Sequence, residues 1–238
     1  RVEDSRLDPG GKGINISRVL HSLGGRSVAV GIVGGAAGEY IRDQLDVLGI
    51  RNDLVFGRQE TRTNLKVVDP VRHTCTDINE PGVPVTAGEL QEIWEKLNDL
   101  VNPGDTVVFA GQNPPEMSDQ QLAQWIMQLK AQGVRTALDT VGMAMKIGVA
   151  AGPTVIKPNE AELEELCEME LPTRADLAAA ARRVVANGVD RVVVSMGAEG
   201  ALFVKADEAF FARGLEVPVG STVGAGDAML ASVLWDME

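Results

Sequence analysis

Residues 220–229 read GSTVGAGDAM, which places Gly224, Ala225 and Gly226 directly before one acid, Asp227, where an apolar run begins. Small residues in a turn let consecutive backbone N–H groups converge on an anion, and a following helix adds positive dipole character there. An aspartate at that point can take a proton from a substrate hydroxyl while the N–H groups stabilise charge on a transferring phosphoryl group. A glycine turn with an aspartate cap fits the same residues. GAGD alone does not separate the two readings.

Other chemistries find less support. The one Gly-Lys pair, Gly11-Lys12, is followed by Gly13, so no G-x-x-x-x-G-K-[ST] phosphate loop exists. No G-x-G-x-x-G follows a strand, and the protein-kinase set is missing. Only two histidines occur: His21 reads as a solvated helix residue and His73 as a surface residue of a loop. With no nucleophile elbow beside them, a histidine triad is not built. Cys75 and Cys167 are too few and too scattered for a disulfide framework or a zinc site, which suits a reducing, cytoplasmic setting. The net charge of −12 argues against nucleic acid or an anionic membrane as partner. No apolar run approaches the roughly 18 residues of a membrane span. An anionic ligand therefore has to be held by a few local cations and backbone N–H groups.

The elements that would position these groups follow from periodicity. Ile16, Val19, Leu20 and Leu23 fall at i, i+3, i+4 and i+7, a helix ended by Gly24-Gly25. SVAVGIVGG reads as a strand, followed by a helix near 38–48. Between about 51 and 80, LVFG, TNLKVVD and TCTDIN read as short strands with no helix between them, a small β lid. Thr86 with Glu89 forms a capping box for a helix to Val101, and Ser118 with Gln121 starts another whose Leu122, Trp125, Ile126 and Leu129 share one face. TVVFAG, RTALD, TVIKPN and RVVVSMG read as buried strands, with helices near 142–150, 160–168 and 174–187. Such βα repeats predict one α/β domain over 1–238, a mostly parallel central sheet with helices on both faces. Ligands of open sheets sit outside the carboxyl ends of the strands. Those ends are Gly111-Gln112-Asn113, Asp139, Lys157-Pro158-Asn159, Ser195-Met196-Gly197 and the Val223–Asp227 turn.

GGKGINISRVLHSLGG (10–25) and STVGAGDAM (221–229) resemble the N- and C-terminal signatures of the ribokinase-like sugar kinases, the phosphofructokinase B family. TRTNLKV (61–67), TDINEPG (76–82), VIKPNEAEL (155–163) and SMGAEGAL (195–202) match the intervening blocks in order. Within the family the chain is most similar to the 1-phosphofructokinase and tagatose-6-phosphate kinase group. The resemblance implies a ribokinase-like three-layer sandwich. It makes Asp227 the base, with Gly224, Ala225 and Gly226 as the anion hole for the γ-phosphate. Gly10, Gly11, Lys12, Gly13 and Asn15 would hold the sugar, joined by Asn64 and Gln112. Lys12 and Arg62 would neutralise a phosphate already on the substrate, Arg offering a bidentate fork. Lys157, Asn159, Ser195, Gly197 and Gly200 would line the nucleotide. Glu162, three residues beyond Asn159, would act indirectly on Mg²⁺ carried with ATP.

The chain departs from the family pattern in places. Gly111-Gln112-Asn113-Pro114-Pro115 stands where the family has Gly-Ser-Leu-Pro-Pro, and Met143 stands where an acid is frequent. Arg1 falls after the family's first strand, and Glu238 falls inside a helical pattern, so the sequence reads as a piece of a longer protein.

The activity these features predict is ATP- and Mg²⁺-dependent phosphorylation of a ketohexose monophosphate. Fructose 1-phosphate, converted to fructose 1,6-bisphosphate, leads tagatose 6-phosphate and fructose 6-phosphate. A kinase of an unphosphorylated sugar or nucleoside is the second reading, opposed by the cations Lys12 and Arg62. A non-catalytic sugar-phosphate binder is the third, opposed by Asp227, since a binder needs no base. Exposed lid strands suggest a homodimer.

Overall fold

A computed structural model describes residues 4–69, 72, 74–217 and 223–237. His73 and the Gly220–Thr222 part of the GSTVGAGDAM stretch lie outside the described residues. The chain opens with α1 (Lys12–Ser22), β1 (Val28–Ala29), β2 (Ile32–Val33) and α2 (Gly35–Val47). Four short strands follow, with no helix among the described residues: β3 (Arg51–Asn52), β4 (Val55–Phe56), β5 (Leu65–Asp69) and β6 (Thr74–Ile78). After α3 (Ala87–Leu100) come β7 (Thr106–Ala110), α4 (Asp119–Ala131), β8 (Arg135–Asp139) and α5 (Gly142–Ala150). The chain continues through β9 (Val155–Ile156), α6 (Glu160–Cys167), α7 (Arg174–Ala186) and β10 (Arg191–Ser195). It finishes with β11 (Gly200–Val204), β12 (Ala209–Arg213) and α8 (Ala225–Asp236).

These elements form two compact units. The first comprises Arg1–Gly10, Arg26–Asp99 and Pro114–Met117. Its strand pairs are small: β1 beside β3 and β2 beside β4, both parallel, and β5 with β6 as an antiparallel ribbon from Leu65↔Ile78 to Asp69↔Thr74. The single strand expected over 27–35 is two strands, because Val30 and Gly31 separate partners on different neighbours. Helix α3 starts at the expected capping box. The Thr86 amide donates to Glu89 Oε2 at 2.6 Å, and the Glu89 amide donates to Thr86 Oγ1 at 3.2 Å.

The second unit comprises Gly11–Gly25, Leu100–Asn113 and Ser118–Glu238. Its sheet has the order β12-β11-β10-β9-β8-β7. The four strands β7 to β10 are parallel, and β11 and β12 close one edge as an antiparallel hairpin. That hairpin is missing from the sequence reading, although its signal is present in GALFV and AFFAR. Phe203 stacks on Phe210 with ring centroids 4.9 Å apart, and the Lys205 amide donates to the Glu208 carbonyl at 2.9 Å to close the turn.

Alternation along β8 sets which helix covers which face. Ala137 and, on β9, Val155 pack with Ile16 and Leu20 of α1 and Leu230, Ala231 and Leu234 of α8. The next residue, Leu138, points the other way, against Gly148 of α5. Helices α4 to α7 pack in succession. The sheet is thus covered on both faces, with α1 and α8 on the Ala137 side. By the same alternation Asp139 faces the α1/α8 side. No helix among the described residues is long and apolar enough to cross a membrane.

Candidate active site

The carboxyl ends of β7 to β10 lie side by side. The Gly111 amide donates to the Asp139 carbonyl at 3.0 Å, and the Ser195 amide donates to the Pro158 carbonyl at 2.9 Å. Asn159 and Ser195 form a parallel bridge just beyond the sheet. Two helix starts meet these ends. Gly11, with φ of 116°, begins α1, and Gly224, with φ of 78°, begins α8. Both angles are in the left-handed region that favours glycine, so each turn needs the residue it has.

Side chains from the two helix starts converge. Asn15 Nδ2 donates to Asp227 Oδ2 at 2.8 Å, and Asp227 is 6% exposed. Lys12 Nζ reaches Asp139 Oδ1 at 3.1 Å, and Lys157 Nζ reaches the same oxygen at 3.5 Å. Asp139 is fully buried, with Lys157 at 5% exposure beside it. A Cβ at position 226 would lie 3.2 Å from Lys157 Nζ and 3.6 Å from its Cε. The missing side chain of Gly226 therefore makes room for an ammonium against the first turn of α8. The first N–H groups of that helix have no intrahelical acceptor. An anion arriving there meets them and a buried cation together.

The remaining candidates occupy more ordinary surroundings. Asn159 and Glu162 form a full capping box on α6: the Glu162 amide donates to Asn159 Oδ1, and the Asn159 amide to Glu162 Oε2, both at 2.8 Å. Gly197, with φ of 55°, sits in a short 3₁₀ turn after β10. Gly200 has φ of 122°, and a Cβ there would overlap the Ala212 carbonyl oxygen, so its lack of a side chain serves the β11–β12 pairing. Gln112 is exposed after β7, and neighbouring Asn113 donates to Asp119 at 3.1 Å. Gly13 lies exposed in the first turn of α1.

Gly10, Arg62 and Asn64 belong to the first unit. There Arg62 Nη1 donates to the Glu80 carbonyl at 3.3 Å, and the Glu80 amide donates to Asn64 Oδ1 at 3.2 Å. Both residues therefore sit just before β5, tied to Glu80.

The sequence places Asp139 at a strand end and assigns it no role. Its available signal was position: the acid closes a buried strand whose neighbours end in glycine or lysine. Thr140 Oγ1 and Asp139 Oδ2 are both buried with no hydrogen-bond partner among the described residues. Buried polar atoms are for the most part paired.

The sequence profile of the pfkB family carbohydrate kinases matches residues 1–236. This chain belongs to the pfkB family. Curated relatives include a 1-phosphofructokinase of Xanthomonas campestris pv. campestris, 39% identical over 98% of this chain and 74% of its own length. A 1-phosphofructokinase of Escherichia coli K12 is 31% identical over 99% of this chain and 75% of its own length. Among solved structures, phosphofructokinase-2 from Escherichia coli in complex with substrates and products superposes with a TM-score of 0.93 at 31% identity. It spans 100% of this chain and 80% of the solved one. A possible 1-phosphofructokinase from Thermotoga maritima superposes with a TM-score of 0.86 at 26% identity, covering 98% of this chain and 75% of the other. The expected ribokinase-like α/β architecture is the architecture of this pfkB protein. It is a carbohydrate kinase with ATP as phosphate donor.

Proposed function

We propose that this pfkB-family kinase transfers the γ-phosphoryl group of ATP to the 6-hydroxyl of fructose 1-phosphate, giving fructose 1,6-bisphosphate. The observation that carries the reading is Asp227, buried at the start of α8 with Oδ2 held by Asn15 and Oδ1 outside that bond. Relatives named 1-phosphofructokinase at 31–39% identity support the choice of sugar.

In this reading Asp227 takes the hydroxyl proton as the sugar oxygen bonds to phosphorus and the bond to the leaving ADP breaks. The free N–H groups at Gly224, Ala225 and Gly226 stabilise the oxygens of the group in flight. Lys12 and Arg62 neutralise the phosphate already on the sugar, with Gly10, Gly11, Gly13, Asn64 and Gln112 as further contacts. Lys157, Asn159, Ser195, Gly197 and Gly200 serve the nucleotide.

Magnesium keeps most of its water and takes its other ligands from one or two carboxylates and the nucleotide phosphates. Among the described residues no group of three or more His, Cys, Asp or Glu is arranged to hold a metal by itself. Glu162 has Oε2 in the capping box and Oε1 outside it. That donor set fits a cation carried by the nucleotide, with Glu162 and Asn159 as its protein neighbours. When bound, the ion would supply positive charge to the transferring phosphoryl group.

Coupled ADP release, measured with fructose 1-phosphate, tagatose 6-phosphate and fructose 6-phosphate, tests the assignment. Fructose 1-phosphate is expected to show the highest kcat/KM. No turnover with any of the three overturns the phosphosugar reading.

The assembly we infer is a homodimer through the β5–β6 ribbon, which leaves Leu65, Val67, Val68 and Ile78 half exposed or more. Sedimentation at the mass of a single copy would overturn it. A free Cys167 thiol suits a cytoplasmic location, checked by cell fractionation.

A further inference from the structure

The phosphoryl-transfer reading leaves Asp139 without work, although no side chain of the site is more deeply buried. Removing a carboxylate from water is costly unless cations and hydrogen bonds replace the lost solvation. Two lysines supply that here, and both use Oδ1, at 3.1 Å and 3.5 Å. Oδ2 is left buried without a partner among the described residues, as is Thr140 Oγ1 beside it.

The two lysines are not equivalent. The Lys157 side chain is 6% exposed, enclosed between Asp139 and the space left by Gly226. The Lys12 side chain is 37% exposed and reaches Asp139 from the first turn of α1. One cation is fixed by its surroundings, and the other has room to leave. When Lys12 leaves, Asp139 still has Lys157.

We propose that Asp139 is a positioning residue for the kinase reaction: it holds the Lys157 ammonium against the first turn of α8 and parks Lys12 until an anionic substrate takes it. The inference rests on the reading of Asp227 as base. Without the Asp139 charge, the Lys157 ammonium loses the carboxylate that holds it beside Gly226 at the first turn of α8. A lysine free to turn away from that turn leaves the transferring phosphoryl group without its aimed cation, so the loss falls on kcat. Asp139 thus acts through the two lysines and touches neither substrate.

The test compares Asp139→Asn, Lys157→Met and the double variant, each checked for folding by a thermal melt. Rates are measured with fructose 1-phosphate and ATP, and ATP affinity is measured by calorimetry. Asp139→Asn is expected to lower kcat about tenfold or more, with a smaller change in KM for the phosphosugar. The double variant is expected to lose no more than Lys157→Met alone, in kcat and in ATP affinity, because both changes remove one aimed cation. Wild-type kcat in Asp139→Asn, or losses that multiply in the double variant, would overturn the proposal. Should Asp139→Asn fail to fold, Gly226→Ala tests the same ammonium from its other side while leaving Asp139 in place. Gly226→Ala combined with Lys157→Met is expected to lose no more kcat than Lys157→Met alone, and losses that multiply overturn the proposal. If the wild-type protein turns over no phosphosugar, the functional reading falls separately, and the coupling in ATP affinity still decides the role of Asp139.

Discussion

Asn15 and Asp227 are 212 positions apart in the chain, yet Nδ2 of the first donates to Oδ2 of the second at 2.8 Å. The bond joins the opening turns of α1 and α8, the two helices of the GGKGIN and GAGD signatures, over the core formed by Ile16, Leu20 and Leu230. It fixes one carboxylate oxygen and so aims the other. Asp227→Asn keeps the shape and removes the proton acceptor. Its kcat is expected to fall by about 10²–10⁴, the usual share of a general base, with ATP affinity within a few-fold of wild type by calorimetry. Turnover close to wild type would assign the base elsewhere.

Arg62 tests the phosphate on the sugar. A charge-assisted hydrogen bond is worth about 1.5–3 kcal/mol, so Arg62→Ala should raise KM for fructose 1-phosphate about ten- to a hundredfold. KM for unphosphorylated fructose, if turned over at all, should hardly move. Equal effects on both sugars would point to a neutral substrate and a structural role for the Arg62–Glu80 bond.

Legibility in the sequence followed the range of the interactions. Local signals carried well: the Ser118 and Thr86 caps both bond as their spacing predicts, because a cap joins residues three apart. The βα alternation gave β7 to β10 their parallel order. The β11–β12 hairpin escapes a reading of SMGAEGAL as nucleotide-lining, because Gly200 meets the β12 backbone only once the chain has turned back after β11. The role of Asp139 was invisible for a related reason. Its partners Lys12 and Lys157 lie 127 and 18 positions away, and no local pattern links a strand-end acid to lysines on other elements. In the sequence Gly226 only frees N–H groups, whereas the fold adds the Lys157 ammonium beside it.

Gly148 shows packing outweighing propensity. In a helix interior Gly→Ala normally gains up to about 1 kcal/mol. Here the new methyl would sit 2.6 Å from Leu138 Cδ2 and 3.6 Å from Ile126 Cδ1, both in fully buried side chains. Overpacking of that kind costs about 1–3 kcal/mol, so Gly148→Ala is expected to lower stability by about 1 kcal/mol net. Denaturant midpoints decide it, and a stabilised variant would contradict the face assignment of β8.

Glu89 makes the stability of the first unit depend on pH. Its carboxylate accepts the Thr86 amide at 2.6 Å, the Arg58 amide at 2.9 Å and the Thr86 hydroxyl at 3.0 Å. Those donors, the Thr86 amide foremost, hold the carboxyl below its ordinary value of 4.5. A folded-state pKa below the unfolded one binds fewer protons when folded, so its stabilisation is complete above about 4.5 and lost as pH falls through the depressed value. Glu89→Gln keeps an acceptor but has no charge to lose. Melting temperatures of wild type and Glu89→Gln, taken between pH 7 and pH 3, should therefore differ most at neutral pH and converge in acid. A gap that stays constant, or widens as the pH falls, would show that the α3 cap does not depend on the charge of Glu89.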